Sequence, residues 1–121
     1  MPMTSKPLMI LVAGPYASGT DGDPVRIQTN VDAMTRVAFD LYHRGHLPVL
    51  GEWFALPLID EAARVGLEDA FDELFHPIAE RVLERCDACL RIGGASVGAD
   101  RMVAAAIRLG KAVYTDIEAI P

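Results

Sequence analysis

The sequence predicts an α/β domain built on a parallel sheet, and three observations carry that prediction. Short apolar runs bounded by turn residues alternate with segments of helical periodicity, the pattern of successive βαβ units. The first run, residues 8–12, is aliphatic throughout rather than alternating, as a strand covered by helices on both faces requires. Glycine-bearing turns follow the first and third runs, at Gly14 and at Gly93-Gly94, where open parallel sheets collect their ligands.

Each element follows from local chemistry. The first strand ends in Ala13-Gly14-Pro15, and Asp23-Pro24 then offers an N-cap and a proline at the first helical position. Val31, Met34, Val37, Ala38, Leu41 and Tyr42 recur at helical spacing until Gly45 stops the helix. Residues 47–50 form the second strand; Pro48 cannot donate to a central ladder, so this strand belongs at a sheet edge. Gly51-Glu52-Trp53-Phe54 opens an irregular or short helical piece through Arg64. A helical stripe runs from Leu67 through Ala70, Phe71, Leu74, Phe75 and Ile78 to Leu83, with Pro77 expected to kink or split it. Residues 88–92 form the third strand. The turn Gly93-Gly94-Ala95-Ser96 leads into a helix whose apolar face holds Ala99, Met102, Val103, Ala106 and Ile107, ended by Gly110. Residues 112–114 form the fourth strand. With right-handed crossovers and the second strand at an edge, the economical strand order is 2-1-3-4, with a fifth strand as an extension.

Length and composition bound the function. The 121 residues fit one domain, and no repeat, low-complexity tract or linker divides them. Hydrophobic residues make up 51% against 23% charged, enough for a packed core and too many for a disordered chain. Eleven lysines and arginines face 17 aspartates and glutamates, a net charge of -6 with no basic cluster, which argues against a nucleic-acid polymer and for a small-molecule partner. The longest apolar stretch, residues 8–13, is too short to span a membrane and poorly framed as a signal peptide, so a cytoplasmic protein without membrane contact is expected. Cys86 and Cys89 form a lone C-x-x-C. Zinc would need two further ligands and thioredoxin-like chemistry a strand-to-helix setting, so both are expected as buried thiols. His43, His46 and His76 are scattered, with no carboxylates clustered beside them, and neither a metal nor a cofactor is assigned.

The order 2-1-3-4 opens a crevice between the carboxyl ends of the first and third strands, lined by residues 14–22 and 93–100. The first loop has the glycine spacing of a P-loop at Gly14 and Gly19, but Thr20 stands where a lysine must reach phosphates, and G-x-G-x-x-G is absent. ATP hydrolysis and dinucleotide binding are therefore disfavoured. Tyr16 brings a hydroxyl-bearing aromatic to the crevice or simply packs over the sheet edge. In the second loop Ser96 can cap the helix, Gly98 lets a ligand approach the backbone, and free N–H groups favour an anion or polar oxygen; an ordinary capped helix would also explain Ser96. Asp100 lies in the first helical turn, where the dipole favours an acid with or without chemistry. Glu52 and Trp53 follow the edge strand and form either a crevice wall or an exposed loop or subunit contact. Glu68-Asp69 and Asp72-Glu73 read as a solvated face.

Five pieces in a fixed order carry a resemblance: Ala13-Gly14-Pro15-Tyr16, Asn30-Val31, Gly45-His46-Leu47-Pro48, Cys86-Asp87-Ala88 and Ser96-Val97-Gly98-Ala99. Over residues 8–115 the chain resembles the nucleoside 2-deoxyribosyltransferase superfamily. That resemblance implies a flavodoxin-like three-layer sandwich and chemistry at the N-glycosidic bond of deoxynucleosides or their 5'-monophosphates. In such enzymes a glutamate on the last helix attacks the anomeric carbon, a tyrosine from the first loop positions it, and an aspartate before the third strand serves the leaving base. Tyr16 matches the tyrosine, and Ser96 and Gly98 match positions that hold a 5'-phosphate. With the loop reading, the expected ligand-binding set is Gly14, Pro15, Tyr16, Asn30, Gly94, Ser96 and Gly98. The glutamate position falls on Met102, and the acid position falls near Ala79, beside Glu80. Asp100 or Glu52 would have to substitute, although Asp100 lies about 200° around the helix from Met102. The expectation is a nucleoside- or nucleotide-binding protein with weak or altered N-glycosidic activity, the alternative being a non-catalytic nucleotide-sensing or assembly module. Homo-oligomers are also implied, since family members complete their pockets with a neighbour's residues.

Overall fold

Strands and helices alternate through residues 6–121, the part of the chain described by the computed structural model. Strand β1 spans Met9–Ala13, helix α1 Pro24–His43, β2 Leu47–Val49, α2 Gly51–Arg64, α3 Ala70–Glu84, β3 Ala88–Arg91, α4 Val97–Arg108 and β4 Ala112–Tyr114, and a 3-10 turn follows at Ile117–Ala119. The strands form one parallel sheet in the order β2-β1-β3-β4, consistent with a flavodoxin-like three-layer sandwich. Leu11 lies beside Val49 on one flank and Cys89 on the other, so β1 is interior and β2, with Pro48, is the edge.

The aliphatic run of β1 has two cores to fill. Successive side chains alternate across the sheet, so Ile10 and Val12 point to one layer and Leu11 and Ala13 to the other. The first layer holds Met34, Ala38 and Leu41 of α1, with Ile117 and Ile120 closing it. The second holds Ala55 and Ile59 of α2, Phe75, Ala79 and Leu83 of α3, and Met102 and Ala106 of α4.

Local signals operate as expected at α1 and α4. The Asp23 carboxylate accepts from the Val25 N–H at 3.0 Å with Pro24 behind it, and Gly45 leaves the helix at φ +95°. The Ser96 hydroxyl accepts from the Ala99 N–H at 3.1 Å.

Three segments differ from the sequence expectation. Residues 51–64, expected as an irregular or short helical piece, form a regular 14-residue helix, because its buried stripe of Gly51, Ala55 and Ile59 packs on α3 while Pro57 faces outward. Helix α3 is not split: Pro77 is exposed, and Ala70, Phe75, Ala79 and Leu83 hold both halves on one core. It begins at Ala70 rather than Leu67, since Asp69 adopts a left-handed conformation at φ +55°. No fifth strand joins the sheet among the described residues; the 3-10 turn follows β4 instead.

His46 is a fastener between chain ends. Its Nδ1 accepts from the Leu8 N–H at 3.0 Å, and its Nε2 lies 2.9 Å from the Pro121 carbonyl oxygen. Cys86 and Cys89 are free and buried, and burial pushes their thiols up to about 11 and about 12, so both stay protonated and unreactive. Among the described residues no helix is long and apolar enough to cross a membrane.

Candidate functional site

A cleft of about 220 Å³ opens at the carboxyl ends of the central strands, between the loop after β1 and the first turns of α2 and α4. Its rim is fixed by close backbone approach. A Cβ on Gly14 would stand 3.0 Å from the Ile92 side chain, and one on Gly93 only 2.6 Å from Pro15 Cδ, with Gly93 already at φ +79°. The two loops therefore interlock, with no space for a side chain at Gly93 and only a tight fit at Gly14. Asn30, reaching from α1, donates from Nδ2 to the Tyr16 carbonyl at 2.8 Å and braces the same loop. The Ser18 hydroxyl donates to the Ser96 hydroxyl at 3.1 Å, joining the loops side chain to side chain.

One wall is aromatic. Tyr16 stacks on Phe71 with centroids 5.5 Å apart and planes within 15°, and Phe71 stacks on Phe75 at 4.9 Å and 14°. Tyr16 and Phe75 are themselves 6.4 Å apart, so the three rings form one compact cluster that gives the cleft an aromatic side. Burial raises the Tyr16 hydroxyl above its ordinary value, helped by the negative charges of Glu52 and Asp60, so it remains a neutral donor at pH 7.

Glu52 supplies the carboxyl. It sits in the first turn of α2, is only 5% exposed, lines the cleft, and makes no side-chain hydrogen bond to another residue among those described. Burial pushes its carboxyl up to about 7, against the smaller opposing pull of its own backbone N–H. Near neutrality it can thus hold a proton or release it. His76 of α3 lines the cleft as well, and Met102 of α4 is buried on the same cavity.

The expected site residues divide. Gly14, Tyr16, Glu52, Ser96 and Gly98 line the cleft together. Pro15 and Asn30 shape its rim instead of facing it. Gly94 lies outside, its carbonyl accepting from Arg91 at 2.8 Å. Asp100 does not reach the cleft: its side chain is 71% exposed and ion-paired with Arg91 at 3.2 Å, because its position faces away from Met102 around α4. Glu80 is likewise engaged outside the cleft, with Arg108 at 2.7 Å, while its neighbour Ala79 lines the cavity. Trp53 is half exposed and is not among the lining residues.

Sequence reasoning placed Ser18 in the crevice loop without singling it out, and missed Phe71, Phe75 and His76. The phenylalanines sit four residues apart in an apolar stripe, a spacing that fits a core equally well, and only their stacking with Tyr16 across the fold separates the two. His76 has Asp72 and Glu80 one helical turn to either side, a spacing that a solvated helix face gives equally well. No lysine or arginine lines the cleft, and no group of three histidine, cysteine, aspartate or glutamate residues suited to a metal occurs among the described residues. The arrangement can seat a flat ring against its aromatic side, hydrogen-bond polar oxygens at Ser18, Ser96 and the free N–H groups of α4, and exchange a proton through Glu52. Against known proteins, no family model matches the chain, and a search of curated proteins finds no match either.

Proposed function

We propose that the cleft binds a nucleoside or nucleotide and acts on its N-glycosidic bond, with Glu52 as the working carboxyl. The observation that carries this reading is the combination, in one cavity, of the Tyr16–Phe71–Phe75 aromatic cluster with a buried, unpaired carboxyl and the Ser18–Ser96 hydroxyl pair. The cluster suits a heterocyclic base, the hydroxyls and the α4 amides suit a sugar or its 5'-phosphate, and a protonated Glu52 suits the leaving nitrogen. The resemblance to nucleoside 2-deoxyribosyltransferases points the same way, as does the net charge of -6, which disfavours a nucleic-acid polymer.

The test pairs binding with turnover. Thermal unfolding is followed with 2'-deoxynucleosides and with their 5'-monophosphates, and free base is measured by chromatography. We expect stabilisation by at least one of these ligands and slow base release that Glu52→Gln reduces by about 10²-fold or more. Absence of stabilisation by every ligand would remove nucleosides and nucleotides from the reading.

A second reading, a non-catalytic nucleotide sensor or assembly module, is favoured by Met102, which lines the cleft at the position where the resembled enzymes carry a nucleophilic glutamate. It predicts ligand stabilisation with no base release, and Met102→Glu then creates activity. In either case we infer a homo-oligomer in the cytoplasm, supported by the exposed Trp53, Phe54 and Leu58 of α2.

A further inference from the structure

His76 has no role in the scheme above, and its surroundings are those of a working group. Neither ring nitrogen has a hydrogen-bond partner among the described residues, and Nδ1 is sealed from solvent. A buried imidazole nitrogen without a partner is costly, and such groups are rare enough to require a reason. The open side of the ring faces Gly98. A Cβ there would stand 3.6 Å from Cε1, 3.8 Å from Nε2 and 4.0 Å from the Ser96 hydroxyl, so the missing side chain leaves room between the imidazole and the serine.

One helix contact places Glu52 and His76 on the same cleft. A Cβ on Gly51 would stand 2.9 Å from the Ala79 Cβ, so the first turn of α2 touches α3 directly at that point. Glu52 follows the touching glycine, and His76 lies one turn from Ala79 on the same face of α3. Both side chains enter the same cleft, with Glu52 close enough to Tyr16 to influence its ionisation and His76 at the Gly98 and Ser96 end.

We propose that Glu52 and His76 form an acid–base pair for direct hydrolysis of the N-glycosidic bond, His76 activating water and Glu52 protonating the departing base. The assignment rests on the nucleoside reading above. The pairing seats the base against the aromatic cluster with its leaving nitrogen toward Glu52, which acts on Tyr16, and the anomeric carbon toward His76, which packs edge-on to Phe75. An O–H proton of water passes to His76 Nε2 as the water oxygen bonds to the anomeric carbon. The carbon–nitrogen bond breaks with its electron pair on the base nitrogen, which takes the proton of Glu52. Free base and the 1-hydroxy sugar leave, and proton return from His76 to Glu52 through solvent restores the pair. No carboxylate attacks carbon, so the anomeric configuration inverts and Met102 is no obstacle.

The charge environment agrees with this division. Burial and the Arg101 guanidinium hold His76 below its ordinary value, against weaker opposing effects of Glu80 and Asp72, while burial lifts Glu52. A neutral base and a protonated acid therefore coexist near pH 7.

The experiment uses the unaltered protein with 2'-deoxyadenosine, 2'-deoxyinosine and thymidine in dilute methanol, which traps the sugar as a methyl glycoside that does not mutarotate. We expect only the inverted methyl glycoside, no exchange with an added second base, and a bell-shaped pH profile of kcat/KM. His76→Gln should lose about 10²-fold or more in rate while keeping ligand-induced thermal stabilisation, and the acid limb of the profile should disappear. Retention of configuration, base exchange, or an unchanged His76→Gln rate would overturn the pair while leaving the nucleoside reading intact. Stabilisation without base release would also overturn it and favour the sensor. Absence of both stabilisation and release would overturn the nucleoside reading and the pair together. The stereochemical result does not depend on whether the variant folds.

Discussion

Glu52 concentrates the proposed chemistry and a cost in stability at one residue. Its carboxyl titrates near 4.5 in the unfolded chain and is pushed up to about 7 in the fold. The folded state therefore holds the proton more tightly. Between these values stability falls as pH rises, and above pH 7 the ionised, buried carboxylate costs about 3 kcal/mol relative to low pH. Glu52→Gln keeps the shape and removes the titration. Urea unfolding should show the variant gaining on the unaltered protein by about 2 kcal/mol more at pH 8 than at pH 5. An equal difference at both values would mean that the carboxyl is solvated in solution. At this scale the sequence was half legible. Ser96 and Gly98 advertise themselves through cap chemistry and loop position, and Tyr16 through its place after a strand. Asp100 carries the same local credentials, yet it turns outward to Arg91.

The interlock of the two loops belongs to the scale of elements. Both turns are visible in the sequence as glycines after strands, but which glycine matters is set by the neighbouring loop. Gly93 combines φ +79° with a Cβ position 2.6 Å from Pro15, whereas Gly94 has open space around it and faces away from the cleft. Gly93→Ala should destabilise the fold by about 2 kcal/mol or more and weaken ligand stabilisation, because the loop bearing Tyr16 must move. Gly94→Ala should leave binding intact and change stability by less than about 1 kcal/mol. Thermal unfolding with and without ligand distinguishes them, and equal losses at both positions would show that the interlock is not rigid. Helix α3 illustrates the opposite error: Pro77 reads as a breaker, yet it stays inside the helix, as Pro57 does in α2, because packing outweighs one lost hydrogen bond at an exposed position.

The whole molecule leaves an apolar face uncovered. Phe54 and Leu58 are 45% and 54% exposed on α2 and border a groove with Ile78 and Val82, flanked by Arg81 and Arg85. Light scattering at micromolar concentration is expected to give a mass above the 13.1 kDa monomer, and Phe54→Asp should shift the protein toward monomer without unfolding it. A monomeric unaltered protein would count against the oligomer.

The sequence by itself determined the α/β class, the parallel strand order, the edge position of β2 and the two loops that meet at the cleft. Each depends on period, turn chemistry or proline rules that act within a few residues. Only the tertiary structure decided what fills the space between those loops. The stacking of Phe71 and Phe75 on Tyr16, the inward turn of Glu52 and the approach of His76 all depend on where α2 and α3 cross. That crossing is set by Gly51 against Ala79, residues remote in sequence whose contact no local pattern records.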